Sequence, residues 1–155
     1  VAPDGVATQG NDVVCMKGII TKHSVDSPEE DMVDTKLEVL SNVGVEIGRL
    51  VHTSSAETAV GDTTTVDESA SSSTGGAAYI NCTAFSGTNF TARVEHSVDD
   101  SAWVALATFA SVTAIGAERV AVASGTTINR YIQSAITVDN MTSVTYTISW
   151  IRFAA

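Results

Sequence analysis

A chain of 155 residues and 16.1 kDa, 44% hydrophobic, can bury one core of ordinary size or two small ones. No apolar run reaches the length of a membrane span. Eighteen acidic against eight basic residues give a formal charge of −10, which opposes approach to a phosphate backbone and argues against specific nucleic-acid binding.

The opening residues carry turn signals at Pro3-Asp4-Gly5 and Gly10-Asn11-Asp12, and neither the basic nor the apolar region of a secretory leader. Without an initiator Met the chain reads as processed, or as part of something longer. Cys15 and Cys82 are far apart and in no metal-ligand spacing, so both are expected as free, half-buried small hydrophobes. Val13 to Thr21 reads as a buried strand with a bulge at Gly18. A polar, carboxylate-rich loop follows from Lys22 to Asp31. Within it, Ser27-Pro28-Glu29-Glu30 has the pattern of a helix start. Val33, Thr35, Leu37 and Val39 then alternate with Asp34, Lys36 and Glu38, the two-residue period of a strand with one wet face. Asn42-Val43-Gly44 predicts a turn and Val45 to His52 another strand, so residues 1–52 form a partial, smaller β unit.

Thr53 to Gly76 is rich in Ser, Thr, Gly and Ala, and its only charges are negative. It has too little apolar surface to order itself, so it is expected as a linker or an extended arm. From Ala77 the pattern becomes regular. Strands are predicted at Tyr79–Phe85, Asn89–Val98, Trp103–Phe109, Ala117–Ala123, Thr127–Val138 and Ser143–Phe153. Turn signals separate them at Ser86-Gly87-Thr88, Asp99-Asp100-Ser101, Ser124-Gly125-Thr126 and Asp139-Asn140-Met141. The expected class is all-β, with an antiparallel β-sandwich or jelly-roll-like unit over residues 77–155.

Little in the chain points to chemistry. His23, His52 and His96 stand in no metal or hydrolase spacing, and no nucleophile elbow accompanies them, so no enzyme and no cofactor are expected. Asp26, Glu29, Glu30, Asp31 and Asp34 lack the spacing and glycine of a calcium loop. They read as a solvated or subunit-facing acidic loop, and as candidate inter-subunit residues. Trp103, Tyr131 and Trp150 are the candidates for a sugar-stacking platform, against the commoner reading that aromatics at alternating strand positions are core.

The run AYINCTAFSGTNFTARVEHSVDDSAWVALATF, followed by AERVAV, NRYIQSAITV and VTYTISWIRF, resembles the terminal β-module of tailed-phage virion proteins. The stretch CMKGIITKHSVDSPEEDMVDTKLEVLSNVGVEIGRLVH is similar to the later strands of the phage tail-tube sandwich. The resemblance implies a non-enzymatic virion protein that self-assembles into rings of a tail tube and contacts other virion proteins. Its negative charge would let DNA pass without adsorbing. Tube proteins of this type carry a further half before the equivalent of Val1, so the resemblance implies either a fragment of such a protein or a shorter relative such as a capsid decoration (cement) protein. A carbohydrate-binding sandwich is the alternative from another class.

Overall fold

Two strands of 22 residues, β5 (Gly76–Ser97) and β8 (Tyr131–Arg152), pair antiparallel along their whole length and form the spine of the molecule. The computed structural model describes residues 8–26, 34–63 and 65–154. Around the spine lie β1 (Asp12–Asp26), β2 (Asp34–Glu57), β3 (Gly61–Asp62), β4 (Val66–Asp67), β6 (Val104–Thr108) and β7 (Gly116–Val122). The strand order is β1-β2-β8-β5-β6, with β3 and β4 on β8 and β7 on β5, and every pairing is antiparallel. The chain is all-β, as its alternation predicts. Among the described residues no helix is long and apolar enough to cross a membrane.

The spine folds over on itself. Tyr146 pairs with Cys82, eight residues before Phe90 on β5. In a flat ribbon that interval is about 26 Å at the rise of an extended strand. Yet the Phe90 and Tyr146 rings lie 5.5 Å apart. The bend falls where the register slips, between Cys82 and Ala92, and Gly87 sits within it at φ 135°. A Cβ on Gly87 would collide with the Met141 backbone, so only glycine fits. Bulges of this kind let long strands turn a corner and continue in a second layer. The folded ribbon encloses one core. Ile80, Cys82, Tyr146, Ile148 and Trp150 come from one half, and Phe90, Ala92, Val94, Ile132 and Ile136 from the other.

Several local expectations are corrected. Ser86-Gly87-Thr88 and Asp139-Asn140-Met141 are not hairpin turns. Gly87 pairs with Met141 and Asn89 with Asn140, so the two signals lie opposite each other as paired bulges. Asn42-Val43-Gly44 is likewise a bulge inside β2, with Gly44 at φ 77° and the Ser41 hydroxyl donating to the Gly44 carbonyl. On β6 the face predicted from Trp103, Ala105, Ala107 and Phe109 breaks. Val94 pairs with Ala107 but Glu95 with Ala105, and this slip leaves Ala105 exposed while Ala107 and Phe109 are buried.

Thr53–Gly76 is neither a free linker nor a detached arm. Ser55, Gly61, Val66 and Ser72 each pair with residues from Ile128 to Tyr146, so the segment runs along β8. Main-chain ladder bonds hold this small-residue segment to the sheet edge, with the Arg130–Asp67 and Arg152–Glu68 pairs beside them, and Val66 is the large apolar side chain that it buries.

Gly48 marks where β2 leaves the body. A Cβ there would sit against the Trp150 carbonyl oxygen and the Ile151 side chain. Gly48→Ala is expected to destabilise by about 1–3 kcal/mol through overpacking, measured by urea unfolding. Gly61→Ala, where nothing lies within 4 Å, is the matched control.

Candidate functional site

The most distinctive surface is the two-stranded arm formed by β1 and β2. Register runs from Asp12 opposite Arg49 to Asp26 opposite Asp34. Only residues Arg49 to Glu57 of β2 are also joined to β8. Beyond that junction the ribbon has no third strand among the described residues. Met16, Val39, Leu40, Val45 and Ile47 are exposed on it, Leu40 at 68% and Ile47 at 66%. Met16 faces Val45 and Val14 faces Ile47 across the strands, so two neighbouring cross-strand pairs present apolar side chains on one face. An isolated two-stranded ribbon is marginal in water, and this exposed apolar face is a surface that a partner could cover.

A charged cluster fixes the arm to the body. The Arg119 guanidinium on β7 donates to both oxygens of Glu46 on β2, at 2.7 and 3.0 Å, and to the Tyr79 hydroxyl on β5 at 3.1 Å. Tyr79 in turn donates to Glu46. Arg119 holds the Glu46 carboxyl below its ordinary value. Burial, with the neighbouring carboxylate, pushes Tyr79 up to about 12. Three strands are joined here by a pair whose two side chains are only 15% and 13% exposed.

Of the predicted acidic residues, Asp26 and Asp34 end the two arm strands as register partners, at the tip of the ribbon. Glu29, Glu30 and Asp31 lie outside the described residues, as does the helix signature at Ser27. The aromatic trio does not form a platform. Trp150 is 0% exposed within the core, where no sugar can reach it. Trp103 precedes β6, and Tyr131 opens β8 with the Arg130 guanidinium 4.9 Å from its ring centroid. Sequence reasoning missed Met16, Leu40, Val45 and Ile47 as exposed apolar residues and Glu46–Tyr79–Arg119 as the tie between arm and body. One available signal was that all three lysines of the chain, Lys17, Lys22 and Lys36, fall within this ribbon.

A cavity of about 380 Å³ is lined by His52, Ser55, Glu57, Asp62 and Tyr146 among others. Its composition invites comparison with a Ser-His-Glu triad, and the geometry rejects it. The Ser55 hydroxyl donates to Glu57 at 2.8 Å, and the same His52 Nε2 faces both Ser55 at 3.5 Å and Glu57 at 3.7 Å. A triad needs the acid on one ring nitrogen and the nucleophile on the other. His52 instead stacks on Tyr146 with centroids 4.1 Å apart, a packing role. Among the described residues no three His, Cys, Asp or Glu side chains come together to hold a metal. Cys15 and Cys82 are both free thiols, and burial pushes each above its ordinary value, away from nucleophilic reactivity.

Burial holds His52 and His96 below the ordinary histidine value, so the native state favours their neutral forms. The His96 Nδ1 accepts a hydrogen bond from the Asn129 backbone N–H at 3.0 Å, which requires that nitrogen unprotonated. A depressed native pKa gives stability that is present above the unfolded value of 6.5 and is lost as pH falls through the native one. Urea midpoints are therefore expected to decline below pH 6.5, and less steeply in His52→Gln than in the parent.

No known family model matches the chain, and no curated protein matches it.

Proposed function

We propose that this chain is a non-enzymatic structural subunit of a tailed-phage virion that assembles with copies of itself, as a component of the tail tube. The observation that carries the reading is the β1–β2 arm, a projecting ribbon with an open apolar face and charged anchorage at its base. Another molecule can supply the contacts that such a ribbon lacks among the described residues. The resemblance of the 77–155 strands to the phage β-module supports the virion setting. The misaligned His52, Ser55 and Glu57 favour a structural over a hydrolytic role. Other virion proteins would be its further partners.

Negative-stain microscopy of the concentrated protein tests this. Rings or tubes are the expected result. Particles that order only on a capsid lattice would point to the decoration role, and lone monomers at every concentration would overturn self-assembly.

A further inference from the structure

The edge strands at the two ends of the sheet each leave one side open among the described residues, and their surroundings differ in charge. The strand order begins with β1, on the arm, and ends with β6, on the body. The arm strands carry all three lysines, Lys17, Lys22 and Lys36, with one carboxylate along the shaft, Glu38, and with Asp12, Asp26 and Asp34 at the strand ends. The five arginines are spent within the chain. Arg49 faces Asp12 and Glu68, Arg93 faces Glu95, Arg119 faces Glu46, Arg130 faces Asp67, and Arg152 faces Glu68. At β6 the situation is the reverse. The turn entering it holds Asp99 and Asp100, exposed and with no ion pair among the described residues. Val98, 69% exposed, and Val104, 59% exposed, flank that turn.

We propose that the β1 edge of one copy adds to the β6 edge of the next, the lysine-bearing shaft lying against the Asp99–Asp100 turn and the arm's apolar residues against Val98 and Val104. This rests on the self-assembly reading and specifies which surfaces meet. β-Strand addition satisfies the open main-chain groups of both edges at once. The two surfaces differ, so the contact is heterologous and propagates from copy to copy into a ring or a filament. β7, the other strand on β5, is already approached by the arm of its own chain through Arg119 and Glu46.

Complementation tests it on the full chain. An arm variant carries Leu40→Asp and Ile47→Asp, and an edge variant carries Val98→Lys and Val104→Lys, all at exposed positions. By sedimentation at the concentration where the parent assembles, each variant alone is expected at the monomer mass of 16.1 kDa. Mixed in equal amounts they are expected to form dimers and stop there, because only one intact arm and one intact edge remain to meet. That rescue also shows both variants are folded. A mixture that stays monomeric, or either variant assembling like the parent, overturns the arm-to-edge pairing while leaving self-assembly standing. A parent chain that never associates overturns both.

Discussion

Replacing Trp150 by alanine is expected to remove about 3–5 kcal/mol of stability, close to the whole margin of a small domain at about 5–15 kcal/mol. Trp150 is the largest fully buried side chain, and it reaches several parts of the fold at once. Its residue pairs with Arg49 at the base of the arm and with Ala78 on the spine. Its ring lies over Gly76, where a Cβ would meet it within 2.7 Å. The cavity left by truncation would be lined by strands that cannot close on it without breaking these registers. Urea unfolding followed by far-ultraviolet circular dichroism reads the loss directly. An effect below about 1 kcal/mol, the scale of a surface substitution, would mean that the two layers do not share one core.

The second large effect is expected at the arm's anchor. Arg119→Ala leaves the mostly buried Glu46 carboxylate without its cation, and the expected loss is about 3 kcal/mol, the lower end for a broken buried pair. The pH dependence gives it a signature. Glu46 titrates below its ordinary value of 4.5, so the tie contributes fully above that pH and fades as pH falls through the depressed native value. In Arg119→Ala that acid-dependent contribution is expected to vanish, so parent and variant converge in stability at low pH. Stability curves from pH 7 to pH 3 measure it. A constant gap across that range would assign Arg119 a packing role instead.

The β class was legible because two-residue alternation survives whatever partner a strand finds. The lengths of the strands were not. Gly44, Gly87 and the Asp139-Asn140-Met141 run use residues that favour tight turns, and a bulge needs the same left-handed or unpaired backbone that a turn needs. What separates the two is the partner strand. For Gly87 that partner is Met141, more than fifty residues away and invisible to any local window. Thr53–Gly76 misled for the converse reason: its composition describes a segment unable to fold alone, while β8 supplies the ladder that it uses.

The candidate surface was half legible. The acidic stretch reads as a loop from Lys22, whereas β1 continues through Asp26, which pairs with Asp34 at the end of the ribbon. Its apolar face escaped notice because Val39, Val45 and Ile47 alternate as buried residues would. Period alone cannot tell a face covered by its own chain from one left open. Trp150 was legible as a core residue, and the structure places it at the centre.

Hydrogen–deuterium exchange on dilute and concentrated protein tests most directly whether the arm is where copies meet. With self-assembly through β1 and β2, amides from Val13 to Val25 and from Thr35 to Ile47 exchange rapidly in the dilute sample and become protected in the concentrated one. The spine amides of β5 and β8 stay protected in both. Assembly that leaves arm exchange unchanged would contradict the account.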